Sequence, residues 1–252
     1  MQRIALITGA TSGIGEACAR KLASAGYRLI LTGRRADRLE NIAAQLQSAH
    51  ETETLTLCFD VQNREEVFQA IESIPKTWQN ISVLINNAGL ALGRDNFIDA
   101  NLNDWDTMIK TNVNGMMYVT KALLPFLQQQ SGAHIVNIGS IAGKEVYENG
   151  NAYCASKFAV DALSKSMRID LLKYGIKITV VHPGAVETEF SVVRYKGDQQ
   201  KADATYVGFK PLTGDDIADA IHYAISLPPH VCINDMVITP AQQASAIHFH
   251  KQ

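Results

Sequence analysis

Short runs of aliphatic and β-branched residues alternate along this chain with longer stretches whose apolar residues recur at helical spacing. This alternation predicts an α/β fold, a doubly wound and mostly parallel sheet with helices on both faces. The predicted strands are Ile4–Thr8, Arg28–Thr32, Leu55–Phe59, Ser82–Ile85, His134–Ile138, Ile176–Val181 and Val231–Ile238. The predicted helices are Glu16–Ala25, Ala36–Gln47, Arg64–Ile74, Leu102–Leu127 (with Asn103 as its N-cap), Ala152–Lys173 and Asp215–Leu227.

Length, charge and composition limit the function classes that remain open. The 252 residues suit a single domain spanning 1–252, and 46% hydrophobic and 19% charged residues argue against disorder. A net charge of −2 without a basic stretch argues against a nucleic-acid partner. The four cysteines lack zinc-site spacing, which argues against a metal centre and favours a reducing compartment. No run approaches the ~20 apolar residues of a membrane span, so we expect a soluble, cytoplasmic protein without a membrane partner.

The segment 187–213 is the least regular part of the sequence. It has few periodic apolar residues and several charges, so we expect a long loop there. A loop of this length inside a compact α/β domain is often a substrate lid. A tolerated surface insertion is the alternative.

A glycine-rich turn joins the first predicted strand to the first predicted helix, in the residues Gly9-Ala10-Thr11-Ser12-Gly13-Ile14-Gly15. Glycines allow a tight turn and close approach of the backbone to a pyrophosphate, and the helix N-terminus supplies N–H donors. The spacing is neither GxGxxG nor that of a P-loop. A purely structural turn is the alternative, but its place in the first strand–helix unit favours a dinucleotide site.

The second predicted strand ends in Thr32-Gly33-Arg34-Arg35. A site for NAD would place an acidic residue here to bind the ribose hydroxyls. Arginine instead binds a 2′-phosphate through paired hydrogen bonds and opposite charge. Arg34 and Arg35 therefore favour NADP(H), with two exposed charges at a helix start as the alternative.

Ser140, Tyr153 and Lys157 form the candidate catalytic set. Tyr153 and Lys157 are four residues apart in a helical segment, so their side chains share one face. A nearby ammonium favours the phenolate and lowers the pKa of a tyrosine, which suits acid–base catalysis. Ser140 follows a predicted strand and can hydrogen-bond a substrate oxygen. Taken alone, a Tyr-x-x-x-Lys pair is most often a surface pair.

Together these motifs resemble the short-chain dehydrogenase/reductase family. The matching residues, in family order over nearly the whole chain, are Thr8-Gly9-x-x-x-Gly13-Ile14-Gly15, Asp60-Val61, Asn86-Asn87-Ala88-Gly89, Asn112, Ser140, Tyr153-x-x-x-Lys157 and Pro183-Gly184. The resemblance implies one Rossmann-like domain that holds both cofactor and substrate. It also implies a homotetramer with long helices at its interfaces.

The family's residue roles carry over to matching positions. The resemblance implies that Tyr153 transfers the proton, with Lys157 as its electrostatic partner and a ribose ligand. It implies that Ser140 orients the substrate and that Asn112 holds a water in the proton relay. The glycine-rich turn, Arg34 and Arg35 are cofactor contacts that the sequence has already indicated. The resemblance implies further contacts, namely Asp60 and Val61 at the adenine, Asn87, Ala88 and Gly89 at the ribose and nicotinamide, and Pro183, Gly184, Val186 and Thr188 around the nicotinamide.

A narrower likeness concerns the substrate. Three stretches, Asn87–Gly93, Thr188–Asp198 and Pro240–Ser245, resemble the NADP-dependent 3-hydroxy acid (serine or allo-threonine) dehydrogenases. This resemblance implies hydride transfer on short 3-hydroxy acids and 3-oxo acids. A small acid needs a cation for its carboxylate, and Arg194 in the expected lid is the first candidate, ahead of Lys196, with an exposed lid charge as the alternative. A reductase of another ketone (a 3-oxoacyl thioester, steroid or sugar) and a non-catalytic dinucleotide sensor are the rival functions.

Overall fold

The structure, a computed structural model, describes residues 2–252. Within these residues seven strands form one parallel sheet in the order β3-β2-β1-β4-β5-β6-β7. The strands are β1 (Ile4–Thr8), β2 (Arg28–Gly33), β3 (Thr54–Cys58), β4 (Ile81–Asn86), β5 (His134–Ile138), β6 (Lys177–Pro183) and β7 (Asp235–Ile238). The predicted doubly wound parallel sheet is confirmed. The last strand is shorter than predicted, because residues before Asp235 lie outside the ladder.

The helices cover both faces of this sheet. Their bounds are α1 (Gly13–Ser24), α2 (Ala36–His50), α3 (Arg64–Glu72), α4 (Leu102–Ile109), α5 (Met116–Leu127), α6 (Asn151–Asp170), α7 (Glu189–Arg194), α8 (Gln199–Ala204) and α9 (Gly214–Ser226). In β1, Ala5 and Ile7 face the core shared with α1, α2 and α9. Ile4 and Leu6 face the opposite core with α3 and α5. Burial on both faces explains why the strands read as continuous apolar runs.

The helix predicted at Leu102–Leu127 is interrupted. A π-helix at Lys110–Gly115 separates α4 from α5, so one turn contains an extra residue. The predicted cap is also wrong by two positions, since the Asn101 side chain accepts a hydrogen bond from the backbone N–H of Asn103. The π-helix and the true N-cap both depend on hydrogen bonds, and the spacing of apolar residues in the sequence does not reveal these.

The expected long loop at 187–213 contains two six-residue helices, α7 and α8. The segment is also fastened to the loop that follows β4. The Gly93 N–H donates to the Arg194 carbonyl oxygen at 2.9 Å, and the Lys196 ammonium lies 2.7 Å from an Asp104 carboxylate oxygen. These contacts place α7 against the carboxyl end of the sheet.

The helices of residues 2–252 include none that combines the length and the hydropathy of a membrane span.

His134 in β5 is fully buried and contacts Thr179 in β6. The Thr179 hydroxyl donates to the Ile233 carbonyl oxygen, so it must accept from His134 Nε2, 2.7 Å away. Nδ1 is buried with no hydrogen-bond partner in the described residues. Burial, with smaller contributions from the nearby cations Lys177 and Arg3, lowers the pKa of His134 to about 3. The native protein therefore holds this imidazole neutral.

We expect His134 to make the fold acid-sensitive. The unfolded chain takes up this proton near pH 6.5 and the native state only near pH 3, so the free energy of unfolding falls as the pH falls between them. The slope from this residue is about 1.4 kcal/mol per pH unit. His134→Gln keeps a donor for Thr179 but cannot be protonated. Urea unfolding at several pH values in this range should show a flatter dependence in that variant.

The matched control for this measurement is His230→Gln at an exposed position, which should keep the wild-type slope. An unchanged slope in His134→Gln would contradict the assignment of a neutral buried imidazole.

Candidate active site

The predicted site residues converge at the carboxyl ends of the central strands. From β1 the chain proceeds outward through β2 to β3 on one side and then returns to place β4 on the other side of β1, so a crevice opens between β1 and β4. In open parallel sheets ligands bind in such a crevice. The loops after β1, β4, β5 and β6 carry most of the predicted cofactor and catalytic residues.

The glycine-rich turn is shaped by close backbone packing. Gly9 and Gly13 have φ values of +65° and +56°, and a Cβ on Gly9 would come 3.0 Å from Ala88 Cα. A Cβ on Gly15 would collide with the Gly9 carbonyl oxygen. Ser12 is the N-cap of α1, but its side chain makes no hydrogen bond to the first helical turn. The first-turn N–H groups of this twelve-residue helix therefore remain available to an anion.

Asn87 fastens this turn to the end of β4. Its side-chain amide donates to the carbonyl oxygens of Thr8 (2.9 Å) and Gly9 (3.1 Å). In return the Thr8 hydroxyl oxygen accepts from the backbone N–H groups of Asn87 and Ala88. The Asn87-Ala88-Gly89 segment thus lies directly beside the glycine-rich turn, as the family resemblance implies.

Three arginines lie at the outer end of the crevice. Arg35 Nη2 donates to the hydroxyls of Thr11 (2.8 Å) and Ser12 (3.1 Å), which places its guanidinium over the glycine-rich turn. Arg35 and Arg38 both pair with the Glu189 carboxylate, at 3.1 and 2.6 Å. Arg38 and Glu189 were not predicted. Arg38 lies three residues after Arg35 in α2, a spacing that could have identified it.

Arg34 points to the other side of this end of the crevice. Its Nη1 lies 3.6 Å from an Asp60 carboxylate oxygen. Val61, the residue after Asp60, packs tightly against Gly115 of the π-helix, where a Cβ would come within 2.8 Å of the valine side chain. Asp60 therefore lies beside Arg34, and Val61 lies beside the π-helix, at the end of the crevice where the family resemblance implies an adenine.

The segment after β6 closes the inner side of the crevice. Thr188 caps α7 and contacts Gly13 across the crevice, with a Gly13 Cβ at 3.1 Å from its Cβ. Pro183 ends β6, and Val186 forms an isolated bridge with Leu212. Gln243, which was not predicted, accepts from the Ala185 N–H and packs onto Gly184.

Tyr153 and Lys157 project from one face of α6 into the buried end of the crevice. The Lys157 ammonium is almost fully buried and donates to the Ile138 carbonyl oxygen at 2.9 Å. Burial lowers the pKa of Lys157 to about 8. A Cβ on Gly89 would come 3.6 Å from this ammonium, so the Gly89 position opens space next to it.

The environment of Tyr153 differs from the expectation. Burial raises the pKa of Tyr153 above its ordinary value, and hydrogen bonding with the Ser140 side chain and the charge of Arg194 oppose this. Lys157 Nζ lies 5.9 Å from the tyrosine ring centroid and hydrogen-bonds Ile138 instead. Ser140 and Arg194, rather than Lys157, are therefore the neighbours that most favour the phenolate in this arrangement.

Asn112 lies in the π-helix and is fully hydrogen-bonded. Its side-chain oxygen accepts from the Leu90 N–H, and its amide donates to the Leu90 carbonyl oxygen (2.8 Å) and the Ser156 hydroxyl (3.0 Å). Asn112 thus joins the π-helix to the loop after β4 and to α6. Its side chain acts as a brace in this structure, while the water-binding role stays a prediction.

Arg194, at the end of α7, faces Tyr153 rather than the exterior. Its Cζ lies 5.5 Å from the Tyr153 ring centroid, and Nη2 donates to the Tyr147 hydroxyl at 3.0 Å. Nε donates weakly to the Gly93 carbonyl oxygen at 3.4 Å. These partners are a phenol and a backbone carbonyl, so the guanidinium keeps its capacity to bind an anion. No sequence pattern marked Tyr147.

These residues can hold a dinucleotide and an oxygen-bearing substrate together. The glycine cradle and the three arginines fit the phosphates, and the Lys157 ammonium has hydrogens left for ribose hydroxyls. Ser140 and Tyr153 offer adjacent hydroxyls at the buried end. The site therefore combines an anion-binding crevice with a proton donor or acceptor shielded from water.

Known proteins resemble this chain over nearly its full length. A family model described as short chain dehydrogenase matches residues 3–199. An NADP-dependent 3-hydroxy acid dehydrogenase of Schizosaccharomyces pombe is 46% identical over 98% of this chain and 96% of its own. Sulfoacetaldehyde reductase 2 of Chromohalobacter salexigens is 44% identical over 97% and 96%. A solved closed form of serine dehydrogenase complexed with NADP+ superposes with a TM-score of 0.91 at 41% identity, covering 99% of this chain and 100% of that one.

Proposed function

The chain belongs to the short-chain dehydrogenase family, and from this premise we propose that it is an NADP(H)-dependent oxidoreductase of short 3-hydroxy acids and 3-oxo acids. Serine, allo-threonine and 3-hydroxypropionate, or malonic semialdehyde in the reductive direction, are the substrates of the proposed class. The observation that carries the proposal is the Arg194 guanidinium beside Tyr153. A 3-hydroxy acid has its carboxylate only two carbons from the reacting carbon, so it needs a cation this near to the acid–base residue.

The relatives agree with a small anionic substrate. The named substrates of two relatives, a 3-hydroxy acid and sulfoacetaldehyde, differ in the acid group but share a short carbon chain that ends in an anion. One guanidinium can bind either a carboxylate or a sulfonate through paired hydrogen bonds. We propose that Arg194 serves this purpose and that the segment 187–213 is the lid that carries it.

NADP(H) is the proposed cofactor. When bound, it supplies or accepts the hydride at the carbon that bears the substrate oxygen. The residues that would hold it are Gly9, Thr11, Ser12, Gly13 and Ile14 at the pyrophosphate, and the arginines Arg34 and Arg35 at the 2′-phosphate. Asp60, Val61, Asn87–Gly89, Lys157, Pro183, Gly184, Val186 and Thr188 complete the proposed contacts.

Tyr153 is the proposed acid–base residue. In reduction its hydroxyl gives a proton to the substrate carbonyl oxygen as the carbon gains the hydride, and in oxidation the proton returns. Ser140 holds the same oxygen through its hydroxyl, and the positive charges of Lys157 and Arg194 stabilise the phenolate that remains. Asn112 holds the loop after β4 in place and is the proposed support for a proton-relay water.

The predictions of a homotetramer and of a cytoplasmic location stand as proposals. Large apolar side chains on α6 are exposed in the single chain, among them Phe158 and Ile169. Such a surface is typical of a subunit contact.

Turnover tests the proposed function directly. We expect initial rates with NADP+ or NADPH on serine isomers, threonine isomers, 3-hydroxypropionate and malonic semialdehyde to exceed those on uncharged alcohols and ketones.

Tyr153→Phe should lower kcat about 10²–10⁴-fold while NADPH binding is retained, because only the transferable proton is lost. Tyr174→Phe, at an exposed position, is the matched control. Retained turnover in Tyr153→Phe would rule out the acid–base role, and absence of any turnover in the wild type would favour a sensor.

Cofactor preference depends on the arginines after β2. Arg34→Ala and Arg35→Ala should weaken NADPH binding about 10–100-fold, in one or both variants, as expected for the loss of a charge-assisted hydrogen bond. NADH lacks the 2′-phosphate and should be much less affected in a fluorescence titration. Arg64→Ala, where the exposed arginine pairs with its neighbour Glu65, is the control. Equal losses for NADPH and NADH would contradict 2′-phosphate binding.

Substrate charge selection depends on Arg194. Arg194→Leu should raise KM for 3-oxo acids about 10–100-fold and leave KM for uncharged ketones within about threefold, because only the acids lose a charge-assisted contact. Lys201→Ala is the matched control, since that exposed lysine lies in the same segment and pairs with Asp198. A similar rise for acids and uncharged ketones would rule out carboxylate binding by Arg194.

A further inference from the structure

We infer that His182, at the end of β6, is a positioning residue that holds the Ser140 peptide and thereby aims the Ser140 hydroxyl at Tyr153. The inference rests on the proposed function, because it concerns the same hydroxyl pair. Sequence motifs give His182 no role, and it lies outside the set of residues assigned to substrate or cofactor.

The His182 imidazole is packed directly beneath the backbone that leads to Ser140. The ring is fully buried, and its Nδ1 lies 3.1 Å from the Ser140 carbonyl oxygen. A Cβ on Gly139 would come 2.5 Å from Nδ1, so this close packing requires glycine at 139. A carbonyl oxygen only accepts hydrogen bonds, so Nδ1 must carry the hydrogen. The same oxygen accepts from the Gly143 N–H at 2.8 Å, and Ser140 Oγ accepts from the Ala142 N–H at 3.1 Å, so the imidazole restrains the Ser140 peptide together with these two backbone groups.

Carboxylates on two other elements lie close to the far side of the ring. Nε2 lies 3.0 Å from an Asp235 oxygen in β7 and 3.5 Å from an Asp161 oxygen in α6, and it makes no hydrogen bond within residues 2–252. Asp161 follows Lys157 by four residues, so it lies on the same face of α6 as the catalytic pair. His182 therefore lies between the Ser140 backbone and the helix that carries Tyr153 and Lys157, and its hydrogen bond within this group is the one to Ser140.

The charges around the ring are balanced by the chain itself. The Lys144 ammonium lies between the two carboxylates, 2.9 Å from Asp161 and 3.0 Å from Asp235, and Lys165 pairs with Asp161 at 2.7 Å. His182, Asp161 and Asp235 have a spacing that could hold a metal ion. Lys144 supplies the positive charge at the two carboxylates that such an ion would otherwise provide. Burial and Lys144 lower the pKa of His182, while the two carboxylates and the Ser140 carbonyl raise it.

Two amide substitutions separate the two halves of this contact. His182→Asn places its amide nitrogen near the position of Nδ1 and keeps a donor for the Ser140 carbonyl. His182→Gln places its amide near Nε2, where it meets Asp235 but not Ser140. His182→Leu removes both contacts. If His182 acts through its hydrogen bond to Ser140, only the variants that lose this bond should lose activity. If the position serves packing alone, all three variants should be affected alike.

The measurement is kcat and KM with NADPH and a 3-oxo acid, with rates normalised to NADPH-binding sites so that unfolded protein does not contribute. We expect kcat to fall about 10–100-fold in His182→Gln and His182→Leu and to stay within about threefold in His182→Asn. KM for NADPH should not change. Wild-type kcat in His182→Gln and His182→Leu would overturn the proposal, and so would a loss in His182→Asn as large as that in His182→Leu.

Two further measurements keep the test decisive. If the His182 variants do not fold, Gly139→Ala displaces the unaltered imidazole, because its Cβ would come 2.5 Å from Nδ1, and kcat should fall about 3–10-fold; an unchanged kcat would overturn the proposal. If the wild type does not act on 3-oxo acids, the proposed function fails by itself. A crystal structure of His182→Gln then decides the inference: Ser140 Oγ should have turned away from the Tyr153 hydroxyl, and an unmoved Ser140 would overturn it.

Discussion

The buried ammonium of Lys157 is the constraint on which the rest of the site depends. Burial of a charge costs free energy unless hydrogen bonds replace those that water made to it. The Lys157 ammonium makes such a bond to the Ile138 carbonyl oxygen, at 2.9 Å. That bond ties α6 to the end of β5. The backbone must also come close, since a Cβ on Gly143 would come 2.6 Å from the Lys157 carbonyl oxygen. The positions of Ser140 and Tyr153 follow from how β5 and α6 are joined around this one ammonium.

Helix α7 connects the two ends of the crevice. Its first residue, Glu189, pairs with Arg35 and Arg38 at the nucleotide end, and its last, Arg194, contacts Tyr147 near Tyr153. Six helical residues span only about 9 Å, so a displacement of one end moves the other. The carboxylate that holds Arg35 and Arg38 and the guanidinium that lies beside Tyr153 therefore belong to one short helix.

Much of the fold could be predicted because both faces of the sheet are covered. Strands such as β1 are then apolar throughout, and the helices between them keep a regular apolar stripe. The glycine-rich turn and the Tyr153–Lys157 spacing were likewise local in sequence. Other features needed the tertiary structure. The inward direction of Arg194 depends on Gly93 and Tyr147, the raised pKa of Tyr153 on burial, and the π-helix on contacts between Asn112 and Leu90. Each involves residues far apart in the chain.

The π-helix at Lys110–Gly115 absorbs one residue more than a regular α-helical turn holds. Loss of one residue there would return the backbone to regular α-helical winding, and α4 and α5 would join with the apolar stripe of α5 still facing the core. The side chains inside the turn would nevertheless be redirected, and Asn112 would lose its paired hydrogen bonds with Leu90. A one-codon deletion in this helix would therefore spare the packing of α5 and still release the loop after β4, so the extra residue serves the crevice rather than the fold.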